Sequence, residues 1–370
     1  MVRAAHLQRV LALSSTALLI ALGWMACSRP ALAVGAAPVG AAWAQQGSPF
    51  RVDDLFSVAA AGPARAWAVG HRGTILSTDD GGASWTVRVS GTSRNLRSIA
   101  FTDPERGYAV GDGGTILRTA DGGAHWNAAV SGTGKSLKSV TFVGAADAWT
   151  VGDAGTVLRS IDGGTTWAKQ VSGTAQALHS VAFADAAHGW AVGDFGTVLH
   201  TVDGGAHWIP QIAGADYSLF SISCADATHA WAVGEAGEVL ATADGGAHWT
   251  TEVSGTQRDL YAVAFADRSH GLASGAQGTA MSTADGGRRW NRLPTVDDSW
   301  LFAIALTGPS RGWVVGDAGT IVSYGAAGPW SADGASTRLL LIGIALVVLV
   351  AAVLLVVMRR WRGRASGPAA

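Results

Sequence analysis

Apolar and polar positions alternate along this chain in short bursts. From Leu178 the stretches LHSVAF, GWAVG, TVLHT and WIPQI follow one another, separated by segments rich in Gly, Asp and Ala. None is long enough for a helix, and Val, Ile, Phe and Trp runs between Gly- and Asp-containing turns predict strands. The same four-stretch unit recurs every 41 residues, led by Leu55, Leu96, Leu137, Leu178, Leu219, Leu260 and Leu301. The turn TVDGGAHW at 201–208 recurs with the same period from Thr78, Thr119, Ser160, Thr242 and Thr283. Four antiparallel strands per unit of about 40–45 residues is the pattern of a propeller blade. The prediction is all-β: a seven-bladed β-propeller with blades starting at 55, 96, 137, 178, 219, 260 and 301. Parallel β-helix coils are shorter and do not supply four turn-separated runs.

The ends of the array suggest how it closes. The seventh unit keeps GWVVGDAGTIVS at 312–323 and then loses the turn, whereas 43–54 (WAQQGSPFRVDD) resembles the outer-strand segment 85–95. Residues 43–54 are therefore expected to form the outermost strand of blade seven, giving a propeller over 43–337. A ring closed without such a strand would leave an exposed edge.

Composition changes the picture at the termini. Apolar residues make up 48% of the 370-residue chain, and mean hydropathy is +0.24, which points to membrane segments. Residues 1–33 have the form of a signal peptide or signal anchor: Arg3 and Arg9, an apolar run, then Ala31-Leu32-Ala33 as a cleavage site. Residues 34–42 read as linker. Residues 339–358 are an uncharged, nearly all-apolar run long enough for a transmembrane helix. Arg359, Arg360, Arg362 and Arg364 follow in the tail 359–370 and predict a cytoplasmic C-terminus. The expectation is a bacterial inner-membrane protein with a single C-terminal span and the propeller on the periplasmic side. Charged residues are only 14% and the net charge is -1, which argues against a nucleic-acid partner. Cys27 and Cys224 give no disulfide framework; Cys224 stands where other units have Phe101, Phe142, Phe183 or Phe265 and reads as a small buried residue.

In the TxDGGxxW turn, the carboxylate can accept backbone N–H bonds within its own turn while Trp fills space between strands. Asp80, Asp121, Asp162, Asp203, Asp244 and Asp285 are accordingly expected to be structural. The GDxGT segments read as hairpins in which paired glycines, such as Gly152 and Gly155, supply positive φ. The TxDGGxxW turn resembles the Asp-box of sialidase-type repeats, which occurs in propellers of many activities. The full unit is more specific. LxSVAF, HGWAVGDxGTVLxT and DGGxxW over 55–323 resemble the photosystem II assembly and stability factor family of chloroplasts and cyanobacteria, with its relatives in other bacteria. The resemblance implies a non-catalytic lumenal or periplasmic propeller that binds newly made reaction-centre proteins. With a membrane span added, it implies a role in membrane-complex assembly, a membrane-protein client in the same membrane, no cofactor and a monomeric propeller.

The alternative is a sialidase-like glycoside hydrolase. It would need an arginine cluster, a Tyr with a neighbouring Glu and an acidic Asp on one face. The only glutamates are Glu105, Glu235, Glu238 and Glu252, and every unit has the same length, leaving no insertion to build a cleft. His125, His207 and His248 share one repeat position, and His188, His229 and His270 another; residues a blade apart are too distant to share one ion at the ~2 Å bonds zinc requires. Binding is better sought where the unit varies. The residue after each leading leucine is Phe56, Arg97, Lys138, His179, Phe220, Tyr261 or Phe302, basic on three successive blades and aromatic on four. At the start of the innermost strand, this set is expected to ring one mouth of the central channel and bind the client, with Arg supplying carboxylate pairing. A second variable position (Ser77, Arg118, Arg159, His200, Ala241, Ser282, Ser323) ends the third strand and is expected near the opposite face.

Overall fold

In the computed structural model, the described residues are 44–45, 53–294, 298–309 and 311–325. The expected signal segment, the transmembrane run and the tail lie outside them. No helix among the described residues is long and apolar enough to cross a membrane.

Seven four-stranded antiparallel sheets follow one another. Blade three is typical. Its strands Leu137–Val143, Asp147–Gly152, Thr156–Ser160 and Ala168–Gln170 run from the centre outward. The innermost strands of successive blades are neighbours, and Leu301–Gly308 of blade seven lies against Leu55–Ala61 of blade one, completing the ring. Blade seven draws its fourth strand from the start of the propeller: Ala44–Gln45 pairs antiparallel with Ile321–Tyr324, with Ala44 opposite Ser323.

The packing explains the unit sequence. The second strand, GWAVG in blade four, is buried along its whole length because both of its faces meet neighbouring blades. The apolar cores are accordingly seams between blades. Trp149 and Val151 of blade three cluster with Leu178, Val181 and Phe183 of blade four, and Trp313 and Val315 of blade seven with Leu55 and Val58 of blade one.

Two devices recur across these seams. In blades one to five a serine of the inner strand accepts the N–H of the next blade's inner strand: Ser57 from Ile99, Ser98 from Val140, Ser139 from Val181, Ser180 from Ile222 and Ser221 from Val263, at 3.2–3.3 Å. A second-strand aromatic also reaches into the following blade. Trp67, Trp149 and Trp231 donate their indole N–H to Gly122, Gly204 and Gly286 carbonyls at 2.8, 2.9 and 2.8 Å. They stack on Phe101, Phe183 and Phe265 with centroids 3.6 Å apart. Tyr108 does the same with the Gly163 carbonyl and Phe142.

The seam between blades four and five departs from this scheme. Cys224 replaces the phenylalanine, so Trp190 stacks on His200 instead, at 4.6 Å. The Gly245 carbonyl is taken by the Gln211 amide at 3.0 Å, and the buried Trp190 Nε1 has no partner. Burial against this seam pushes the Cys224 thiol up to about 12. Both seams of blade seven lack the inner-strand serine bond and the aromatic donor alike. Ala262 and Ala303 occupy the serine position, Leu272 and Leu306 stand at the repeat positions of the stacked aromatic pair, and Trp313 clusters with Ala60 with its Nε1 unpartnered.

The GDxGT hairpins correct one expectation. Gly152 is extended (φ -173), as its equivalents are, and only the second glycine has positive φ. The first is required by crowding: a Cβ on Gly152 would lie 2.0 Å from the Ser136 carbonyl oxygen. The residue between them takes the left-handed conformation whatever its type: Arg72, Ala154, Phe195, Ala236, Gln277 and Ala318 at φ 48–55.

Candidate functional site

A β-bulge aims the variable position. In every blade the inner-strand register shifts between the leading leucine and the residue two further on; Leu137 lies opposite Gly152 and Ser139 opposite Val151, with Lys138 left over. A bulged residue drops out of the ladder and turns its side chain away from the sheet faces. Repeated around the ring, this brings together Phe56, Arg97, Lys138, His179, Phe220, Tyr261 and Phe302. Phe56 lies 6.0 Å from Phe302, Phe302 5.6 Å from Tyr261, Tyr261 5.7 Å from Phe220 and Phe220 5.7 Å from His179, centroid to centroid. Lys138 Nζ donates to His179 Nδ1 at 3.4 Å, and the Arg97 guanidinium sits 4.8 Å over Phe56. Trp300 stacks on Tyr261 at 5.8 Å, extending the aromatic side of the mouth.

The cations on this ring are not free charges. Each meets the aspartate of its own blade's hairpin: Arg97 Nε donates to Asp112 at 2.9 Å, Lys138 Nζ lies 3.0 Å from Asp153, and His179 Nε2 donates to Asp194 at 2.6 Å. The Asp112 pKa is lowered because its bonds and charge interaction with Arg97 outweigh burial, which acts the other way. Burial lowers the His179 pKa; Asp194 opposes this and the Lys138 charge adds to it. A neutral His179 with its proton on Nε2 satisfies both partners, accepting from Lys138 and donating to Asp194. The period located the ring, but the pairing with the hairpin was missed. Its signal was available: Asp112, Asp153 and Asp194 each follow a basic ring residue by 15 positions.

The second variable set lies among the Asp-box turns. Arg159 pairs with Asp147 at 3.0 Å and lies over Trp149, and Arg118 reaches Thr165 at 3.4 Å in the turn of the next blade. Within the turns, Asp203 Oδ1 accepts the Thr201 hydroxyl and the His207 N–H, both at 2.9 Å, and its Oδ2 meets His207 Nδ1 at 2.7 Å. Asp121 and Asp244 are held the same way by His125 and His248. Asp80 and Asp162 use Ser84 and Thr166 hydroxyls instead, and Asp285 takes the Arg289 N–H and the Thr283 hydroxyl. The backbone N–H of His207, then its ring, hold Asp203 down to about 2; the Ser84 hydroxyl, then its N–H, do the same for Asp80. In five of the six turns both carboxylate oxygens are engaged within the turn, and in the sixth Asp285 accepts both of its bonds on Oδ1. The histidines are thereby tied to their own blades, and no group of three or more metal-ligating side chains occurs among the described residues.

Fold and turns together define a seven-bladed propeller of Asp-box repeats. Within that class, residues 89–174 and 169–254 match the family described as photosynthesis system II assembly factor YCF48. Over those residues, 89–254, the repeats are similar to that family. No curated protein sequence matches it. Among solved structures it is similar to YCF48 from Cyanidioschyzon merolae, with a TM-score of 0.65 and 24% identity over 77% of this chain and 98% of that one. It is also similar to a structure of YCF48 bound to D1 peptide, with a TM-score of 0.66 and 20% identity over 81% of this chain and 99% of that one. At these identities the structural likeness concerns the fold.

Proposed function

We propose that the chain is a non-catalytic propeller that binds a membrane-protein client at the bulge-lined mouth and assists assembly of a membrane complex. The observation that carries this reading is the family match over residues 89–254, and the solved YCF48 bound to D1 peptide supports a membrane-protein client. The mouth is the natural docking surface because it is where otherwise constant units differ and where aromatic rings stand exposed at the edge, as in Trp300 and Tyr217. A glycoside hydrolase is disfavoured: the Asp-box carboxylates are bonded within their own turns, Glu105 is paired with Arg65, and Glu235 and Glu238 share one hairpin of blade five.

The sequence at both ends supports a bacterial inner-membrane setting, with the propeller on the periplasmic side and a single C-terminal span. The client is then a protein of the same membrane. Arg97 and Lys138 contribute as members of ion pairs, so charge reversal would set two carboxylates against each other. The cleaner variant is Arg97→Gln with Lys138→Gln, compared with Phe220→Ala and Phe302→Ala, in affinity capture from detergent-solubilised membranes. Loss of captured membrane proteins with an unchanged melting temperature is the expected result. Capture at wild-type level by all of these variants would reject the mouth as the docking surface.

A further inference from the structure

The repeat itself shows what a carboxylate at the mouth hairpin engages. In blades two, three and four an acidic hairpin residue faces a basic ring residue, and the two pair: Asp112 with Arg97, Asp153 with Lys138, Asp194 with His179. Blades five and seven keep the acid, as Glu235 and Asp317, but replace the cation by Phe220 and Phe302. Neither carboxylate has a cationic partner among the described residues. Glu235 is exposed, and Asp317 accepts only the Trp300 N–H, at 3.1 Å. Between them lies a continuous aromatic surface, Phe220, Tyr261 and Phe302, with Trp300 stacked on it. Phe56 shows what such a ring accepts, since Arg97 already lies over its face at 4.8 Å.

The geometry points to a cation-recognition site on this half of the mouth, rested on the client-binding reading above: Glu235 and Asp317 take lysine or arginine side chains of the partner, whose stems and charges lie on Phe220, Tyr261 and Phe302. Charge complementarity selects the occupant. An acidic segment would meet two uncompensated carboxylates here and three neutralised cations on blades two to four, so a basic, extended segment is the better fit. Aromatic faces add attraction to a cation and exclude water from its pairing with the carboxylates.

The test uses the full-length chain in detergent and two dye-labelled probes, acetyl-pentalysine amide and acetyl-pentaglutamate amide, followed by fluorescence anisotropy. Pentalysine should bind in a salt-sensitive manner and pentaglutamate should not. Glu235→Gln with Asp317→Asn should weaken pentalysine about tenfold. Phe220→Lys should rebuild the blade-three arrangement by pairing with Glu235, raising the melting temperature or leaving it unchanged while weakening pentalysine to a similar degree. Equal binding of the two probes, or pentalysine binding indifferent to all three substitutions, overturns the site. The client reading fails separately. Pentalysine binding with no membrane protein captured would sink the assembly role and leave the cation site standing; client capture insensitive to Glu235→Gln with Asp317→Asn would sink the cation site and leave the client role.

Discussion

At the residue scale, the mouth hairpin concentrates its constraints on two neighbouring positions. Gly152 is fixed by a carbonyl that a Cβ would strike at 2.0 Å, whereas Ala154 carries its Cβ at φ 55, where an L-residue is strained by roughly 1–2 kcal/mol. The two should respond to reciprocal substitution in opposite senses. Gly152→Ala is expected to destabilise the propeller by about 2–4 kcal/mol. Ala154→Gly should stabilise it by up to about 1 kcal/mol, the released strain exceeding the added unfolded-state entropy; urea denaturation of both variants checks the pair. The sequence announces the conserved-looking glycines of the unit but not which one turns. Positive φ and close backbone approach both call for Gly, and only the register of Leu137 against Gly152 separates them. The same register hides the ion pairs at the mouth. Arg97 and Asp112 are 15 positions apart, a spacing that repeats on three blades, but a bulge in the inner strand and the hairpin after the next strand are both needed to bring them together.

At the scale of elements, the Asp-box turn is a joint between blades. Its glycine carbonyl accepts the indole of the preceding blade, so Trp149→Phe should leave the Gly204 carbonyl buried without its partner and cost about 1–3 kcal/mol beyond the lost ring volume. Trp190→Phe removes an N–H that already lacks a partner and should cost less; chemical denaturation of the two variants gives the difference. The turn also sets a pH dependence. Asp80, Asp162, Asp203 and Asp244 are held at about 2 by bonds that favour the carboxylate, below the usual value near 3.9. A depressed folded pKa means that the contribution is complete above the unfolded value and is lost as pH falls through the folded one. Melting temperature should therefore hold above pH ~4 and fall steadily toward pH ~2, and Asp203→Asn should shallow that slope while lowering the plateau. These joints were only half visible beforehand. TxDGGxxW declares a self-contained turn, but its acceptance of an indole from the preceding blade depends on a residue 55 positions earlier. The exception at Cys224 was legible as a missing phenylalanine, whereas the response of His200 was not.

For the propeller as a whole, the seams are unequal. Those from blade one to blade six carry an inner-strand serine bond each, and four of them carry an aromatic donor seated in the next Asp-box; the two flanking blade seven carry neither of these, and the seam between blades six and seven has instead the Ser274 hydroxyl donated to the Leu301 carbonyl at 3.2 Å. Toward blade one, blade seven is fastened by the strand Ala44–Gln45 on its outer edge and by the Ala318 N–H bonded to Asp54 at 3.0 Å. Removing residues 41–54 should lower the melting temperature sharply. In the intact chain, hydrogen exchange should appear first in Leu301–Gly308 and Ile321–Tyr324, ahead of the matching strands of blade three; uniform exchange across the blades would contradict this ranking. The blade count follows from the 41-residue period, and the closure from the failed seventh turn together with the likeness of 43–54 to the outer-strand segment 85–95. The ranking of seams depends on which serines and tryptophans meet across a boundary, and that emerges only when the ring is assembled. Near-identical units carry a hazard of miscounting: a folding chain whose blades are nearly interchangeable could dock any one beside any other, or close one short. An odd blade that lacks its neighbours' fittings and is completed only by the chain's beginning works as punctuation, marking where the count ends.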